Sequence, residues 1–274
     1  MDNITQLYPL PSQERPLKGA YLSHQLRQYN LVSGKAFVYG SFVTSLDGRI
    51  AIHYPSDVGM MIPKNIINDR DWRLGQELAA QADLIISSGR YLRDWAEGRA
   101  QEILQVDNPK CADLRAWRLE QGLPPQPDIA IISRSLHFPI PEVLTAGERK
   151  VVVFTTANPD SARVREIEAK AGQVFVVGEN SVDGEQMVQC MTDVGYKTVY
   201  SGAGPKIMHQ LLAGGVLDRL YLTHVSRILG GQPFSSIVDG DLLASAVNMT
   251  LHTSYFDPHA LGGLGQLFLS YDRA

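Results

Sequence analysis

Ser201-Gly202-Ala203-Gly204-Pro205 joins an apolar run, Val199-Tyr200, to a segment with helical spacing from Lys206 to Ala213. A strand that stops at glycines and restarts as a helix exposes backbone N–H groups at the positive end of the new helix. A phosphate binds there without a cationic side chain. Pro205 suits the first helical turn, Ile207, Met208, Leu211 and Leu212 form an apolar stripe, and Gly214-Gly215 supplies a stop. The chemistry this pattern predicts is anion binding; the plain alternative is a tight strand-to-helix connection. It is neither of the two commonest phosphate motifs. Ile207 and Met208 stand where a Rossmann G-x-G-x-x-G would want a small residue, and no Gly-Lys-Ser/Thr follows as in a P-loop.

A phosphate cradle needs a sheet behind it, and the chain predicts one. Ala36 to Leu46 is β-branched and aromatic and ends at an Asp47-Gly48 turn. Further strands are expected at 83–87, 128–133, 150–155, 174–177 and 198–201, with helices over 69–80, 159–171, 182–194 and 205–213. Asp160 and Asp183 are the expected N-terminal caps. This alternation predicts a parallel sheet. After residue 213 only strands are expected, at 219–225, 246–255 and 265–271, so the sheet should finish antiparallel. Residues 95–127 read as an insertion between sheet elements. Residues 1–35, rich in Pro, Gln, Ser and Asn, read as a surface arm or partner-contacting extension.

In an open α/β sheet, ligands bind beyond the carboxyl ends of the strands. Those ends are Ser45-Leu46-Asp47, Ser87 to Arg90, Ser133-Arg134-Ser135, Thr155-Thr156 and Ser201 to Gly204. Each alone is ordinary turn chemistry. Five small, polar ends on one edge suit an extended phosphate-bearing ligand.

Composition excludes several classes. The 274 residues, 44% hydrophobic and 20% charged, can bury a large core. A net charge of -4 offers no basic field for nucleic acid. Cys111 and Cys190 are far apart, which fits a reducing compartment and no disulfide scaffold. The 7 histidines lack ligand spacing, so no metal is expected. Without a leader-like start or an apolar run near the ~20 residues of a membrane helix, the expectation is a soluble cytoplasmic protein.

The motifs resemble, in order, the reductase domain of riboflavin biosynthesis, whose fold is dihydrofolate-reductase-like. Thr44 to Ala51 is similar to the family's S-L-D-G-x-I-A signature, and Leu78 to Ile86 to its helix-strand unit. Ile132 to Pro139 resembles the strand and turn that follow. Ala203-Gly204-Pro205, Leu211 to Leu220 and Ile228 to Gly231 resemble its closing block. The resemblance spans residues 36–272. It implies an α/β fold: a mixed sheet with a parallel core, antiparallel C-terminal strands and flanking helices, with residues 36–274 as the reductase domain.

The resemblance also implies a homodimer, NADPH as cofactor, and a small heterocyclic substrate whose ribosylamino side chain is reduced to ribitylamino. Carried over by position, Ser201, Gly202, Ala203, Gly204 and Pro205 would cradle the pyrophosphate. Thr44 and Ser45 would lie near the nicotinamide, and Ser88 and Gly89 along the cofactor. Ser133 and Arg134 would meet the 2′-phosphate, for which a hydroxyl and a guanidinium both donate. Thr155 ends a neighbouring strand on the same edge. Asp47 is the expected catalytic carboxylate, weighed against a role as the first residue of its turn. The family often carries Lys where this chain has Ser41, and Glu near Ser201 or Gly202. These departures leave two other readings open: a non-catalytic nucleotide-binding paralogue, or a reductase of another pterin-like heterocycle. Arg70, Arg73, Arg90 and Arg93 are candidates for a substrate phosphate and otherwise solvated charges, while Trp72 and Trp95 are candidate stacking residues, with a place in the core the favoured reading of Trp72 because it sits on an apolar helix face.

Overall fold

The computed structural model describes residues 3–53, 60–145 and 149–274; Met1 and Asp2 of the expected arm lie outside them. In chain order, β1 (Asn3–Tyr8), β2 (Gln13–Pro16) and α1 (Tyr29–Ser33) precede β3 (Phe37–Ser45). Short strands β4 (Ala51–His53) and β5 (Met60–Met61) lead to α2 (Asp69–Ala80), β6 (Leu84–Ser88) and α3 (Gly89–Ala96). Then come α4 (Ala112–Glu120), β7 (Asp128–Ile132), β8 (Val151–Thr155), α5 (Ser161–Lys170), β9 (Val174–Val176) and α6 (Gly184–Val194). The chain closes with β10 (Thr198–Ser201), α7 (Pro205–Ala213), β11 (Arg219–Val225), β12 (Phe234–Ser235), β13 (Met249–Asp257) and β14 (Gln266–Arg273).

The main sheet has the order β2-β1-β13-β14-β11-β3-β10-β6-β7-β8-β9. From β11 to β9 every neighbouring pair is parallel. From β2 to β11 every pair is antiparallel. This is the mixed sheet the sequence predicts, with the parallel core and the antiparallel C-terminal strands in place. Parallel strands are covered on both faces and therefore read as unbroken apolar runs; Val151 to Phe154 is buried throughout.

Side chains alternate across the sheet. Phe37 and Tyr39 of β3 pack into one core with Tyr200, Tyr221 and the apolar face of α2. Val38 points the other way, into a core with Met187, Met191 and Met208 from α6 and α7. Gly40 marks where α7 comes closest: a Cβ there would lie 2.8 Å from Met208 Cε. Asp160 and Asp183 cap α5 and α6 as expected, Asp160 accepting the N–H groups of Ala162 and Arg163 and Asp183 that of Gln186. The 95–127 segment contributes Leu104, Cys111 and Leu114 to the first core. Its Arg118 donates to the carbonyls of Ala80 and Ala82, both at 2.8 Å, and so closes the end of α2.

The N-terminal residues differ from the expected surface arm. β1 pairs with β13, extending the main sheet past its C-terminal strands, and Ile4, Leu17, Tyr21 and Leu26 are buried in the first core.

Candidate active site

Because the core strands are parallel, the loops after Ser45, Ser88, Ile132, Thr155 and Ser201 all leave from one edge of the sheet. A cavity of about 910 Å³ opens there, beneath the small sheet β12-β4-β5. Its wall includes Ser88 and the whole turn Gly202 to Ile207.

The turn has the features an anion needs. Gly204 is the N-cap of α7, with φ -76 and ψ -178, and no side chain caps this helix. Ser88, the N-cap of α3, likewise makes no capping hydrogen bond, whereas Asn68 caps α2. Among the described residues, the N–H groups of Ala203, Gly204 and Lys206 have no acceptor. The backbone at Gly204 is open to any residue type, and a Cβ there meets nothing within 4 Å. The protein's own packing therefore does not require glycine at this position. The space in front of it is what a diphosphate would fill, so the turn fits that group. Lys206, exposed on the cavity wall, adds a positive charge.

The other expected cofactor residues lie along the edge but not in the cavity wall. Ser201 is buried, and its Oγ has no partner among the described residues. Thr44 is also buried, donating to the Ser45 carbonyl at 3.1 Å. Gly89 and Ser133 meet, since a Cβ on Gly89 would lie 3.3 Å from Ser133 Oγ. Thr155 Oγ1 lies 3.5 Å from the Arg134 carbonyl, and the Arg134 side chain is exposed. Of the four candidate arginines only Arg90 reaches the cavity. Arg70 pairs with Asp257, Arg73 with Asp113 and Glu77, and Arg93 donates to the His137 carbonyl. Trp72 lines the cavity, whereas Trp95 packs against the core under α3 and α5.

Asp47 is engaged elsewhere than its expected catalytic role would need. Ser45 Oγ donates to its carboxylate at 2.5 Å, as do Arg49 Nη1 at 2.6 Å and the Gly230 N–H at 2.8 Å. These bonds, Ser45 and Gly230 foremost, hold the carboxyl down to about 2. A group so acidic has no proton to give near neutral pH. It clasps the loop at 229–230 to the end of β3 instead. A carboxyl whose folded pKa lies below its ordinary 3.8 stabilises above that value, and the contribution disappears as pH falls towards 2. Asp47→Asn should therefore melt at a lower temperature than the unmodified protein at pH 7 and at the same temperature near pH 2. A melting difference independent of pH would contradict the clasp.

Asp71 and Asp239 both line the cavity, and sequence reasoning singled out neither; Asp239 stands beside Pro205, whose carbonyl accepts its N–H at 3.2 Å, and the other carboxylate is Asp71. It sits in the first turn of α2, where the Asn68 side chain accepts its N–H at 3.0 Å. No cation pairs with it among the described residues. Burial pushes its carboxyl up from 3.8 to about 6, and the Thr223 hydroxyl only partly offsets this. The same wall carries Tyr200, Ser41, Tyr221 and Gln76. Ser41 Oγ and the Tyr200 hydroxyl are 2.6 Å apart, so the position where the resemblance led to the expectation of a Lys holds a neutral hydroxyl pair. Burial raises the Tyr200 phenol to about 12, which keeps it a neutral donor. In the sequence, Asp71 looks like one more acidic residue favouring a helix start. Only the packing of β11 and β10 against α2 shows that it faces a cavity.

Fold and site together define an open α/β protein with an anion-receptive turn and a titratable carboxyl in one crevice. The chain belongs to the RibD C-terminal domain family, whose model matches residues 36–259. It is 22% identical over 224 residues to the 2,5-diamino-6-ribosylamino-4(3H)-pyrimidinone 5′-phosphate reductase of Methanothermobacter thermautotrophicus, a match covering 81% of this chain and 93% of that one. The fold is shared with a pyrimidine reductase-like protein of Corynebacterium diphtheriae, at TM-score 0.64 and 19% identity over 89% of this chain and 94% of that one. It is also shared with a riboflavin biosynthesis reductase of Saccharomyces cerevisiae, at TM-score 0.54 and 15% identity over 92% of this chain and 99% of that one. The family resemblance read from the motifs is thereby borne out.

Proposed function

We propose that this chain is an NADPH-dependent reductase of riboflavin biosynthesis, acting on 2,5-diamino-6-ribosylamino-4(3H)-pyrimidinone 5′-phosphate and converting its ribosylamino side chain to ribitylamino. Family membership and the activity named for the Methanothermobacter thermautotrophicus relative support the substrate. The observation that carries the reading is the pairing, in one cavity, of an uncapped helix start at Gly204 with the unpaired carboxyl of Asp71. A protein that only bound nucleotides would have no use for the second group, whereas a reductase must protonate its substrate. The reading includes a cytoplasmic homodimer, as the resemblance implies.

In this reading the N–H groups of Ala203, Gly204 and Lys206 hold the diphosphate, and Ser133 with Arg134 takes the 2′-phosphate. Thr44 and Ser45, at the end of β3, lie near the nicotinamide. When bound, the nicotinamide supplies a hydride to C1′ of the sugar. Asp71 holds a proton up to about pH 6 and gives it to the ring oxygen as the sugar opens at C1′. Tyr200, oriented by Ser41, donates a hydrogen bond to the substrate from the same wall.

The test is to mix the purified protein with NADPH and the pyrimidinone phosphate. One NADPH should be oxidised for each ribitylamino product formed. NADPH binding without oxidation would leave the non-catalytic reading. Arg134→Ala should weaken NADPH binding about tenfold and leave NADH unchanged, because only the former carries the phosphate that the guanidinium would meet. Equal losses for both cofactors would place the 2′-phosphate elsewhere.

A further inference from the structure

The turn at Gly204 is one side of a crevice, and the crevice has a second side. β6 and β10 are parallel neighbours with Ser201 opposite Ile86, and the Gly202 N–H donates to the Ile86 carbonyl at 3.1 Å. The helices that follow these two strands leave on opposite faces of the sheet. Ile207, Met208 and Leu211 of α7 share a core with Leu84 and Ile86. Leu92 of α3 shares a core with Ile129, which pairs with Ile85, and Ile85 points away from the face of Leu84 and Ile86. Adjacent parallel strands whose helices part in this way open a crevice at their carboxyl ends, where ligands of open α/β sheets bind. A ligand lying there meets the start of α7 on one side and the start of α3 on the other.

Arg90, in the first turn of α3, is the cation on that second side. It lines the cavity, and its side chain is 57% exposed, so its head is open rather than sealed. Two contacts locate the guanidinium: Nη2 lies 3.5 Å from the carbonyl of Met60, itself in the cavity wall, and Nε lies 3.4 Å from the Asp94 carboxylate. Both are long for a guanidinium bonded to oxygen. Asp94 has a closer partner in Arg99, at 2.6 Å, so Arg90 can turn from it without leaving that carboxylate unpaired. A guanidinium is a planar fork of donors that matches two phosphate oxygens at once. On the reductase reading, the nearest phosphate is the cofactor's diphosphate. Ser133 follows β7, the next strand out, and a Cβ on Gly89 would lie 3.3 Å from Ser133 Oγ. A dinucleotide with its diphosphate at Gly204 and its 2′-phosphate at Ser133 crosses the end of β6, where Arg90 stands. Arg90 shares the cavity wall with Gly204, whereas Ser133 and Arg134 are outside it.

The geometry points to Arg90 as the second half of the diphosphate site: its guanidinium donates to the diphosphate oxygens from the α3 side of the crevice, while the amides of α7 hold them from the other. This rests on the reductase reading above, and within it on the dinucleotide cofactor.

The experiment measures NADPH and NADH binding by nucleotide fluorescence for Arg90→Gln, Arg99→Gln and the unmodified protein, and KM for the pyrimidinone phosphate at saturating NADPH. Arg90→Gln should raise both dissociation constants by the same factor, about 10–100-fold, as expected for loss of a hydrogen bond between charged partners. KM for the pyrimidinone should not move, nor should the melting temperature, because the ion pair lost is an exposed one. Arg99→Gln removes the closer partner of Asp94 from outside the cavity wall and should leave both constants as they are. Unchanged dissociation constants in Arg90→Gln overturn the proposal while the reductase reading stands. A loss confined to NADPH also overturns it, by placing the guanidinium on the 2′-phosphate. So does a raised KM with unchanged cofactor binding, which places it on the substrate phosphate. Equal losses in Arg99→Gln trace the effect to Asp94 and overturn it as well. An unmodified protein that binds neither nucleotide overturns the cofactor reading and this proposal with it.

Discussion

Asp71→Asn is expected to lower kcat/KM for the pyrimidinone by about 10³-fold, within the range that loss of a general acid produces. NADPH binding should be unchanged, because the diphosphate cradle lies in a different part of the wall. The stability change should go the other way. A carboxyl whose folded pKa is raised from 3.8 to about 6 stabilises the fold fully below 3.8, and that contribution is lost as pH rises through 6. At pH 7 the ionised group is therefore a burden of order 1–3 kcal/mol, at ~1.4 kcal/mol per unit and with some relief from cavity water. The asparagine variant carries no such burden, and its melting temperature at pH 7 should be a few degrees higher. The unmodified enzyme should lose kcat/KM tenfold per pH unit above about 6, as free Asp71 gives up its proton. A variant that keeps its activity, or a flat profile between pH 5 and 8, would remove Asp71 from the chemistry.

Gly204→Asp is expected to separate binding from stability equally sharply. Aspartate is among the best N-cap residues, and the extended backbone at Gly204 is the conformation an N-cap adopts. The helix should be as stable as before or slightly more so. The new carboxylate, however, would sit where the diphosphate approaches and would accept the same N–H groups. The NADPH dissociation constant should rise at least 100-fold, a loss of about 2.7 kcal/mol. If cofactor affinity survives this substitution, the amides of α7 do not hold the diphosphate.

The parts of the molecule that were legible in the sequence are those governed by local chemistry. Val151 to Phe154 could be read as a strand because a doubly covered strand is apolar throughout, and Asp160 and Asp183 as caps because their side chains satisfy helix N–H groups. The glycine turn at 202–204 was legible for the same reason. What could not be read depends on distant partners. β1 turns only Ile4 and Gln6 fully inward, and β2 has no buried residue, so neither carries a strand signal of its own. Their pairing with β13 and with each other supplies it. Asp47 and Asp71 look alike as letters, yet one is ringed by donors and the other is half-buried on a cavity wall without a cation among the described residues. Their carboxyls are accordingly driven in opposite directions.

The most direct measurement is a crystal structure of the complex with NADP. The account predicts the diphosphate oxygens within hydrogen-bonding distance of the Ala203, Gly204 and Lys206 N–H groups, with the nicotinamide inside the cavity that Asp71 lines. A dinucleotide bound away from this turn, or a turn whose amides face no ligand in the complex, would contradict it.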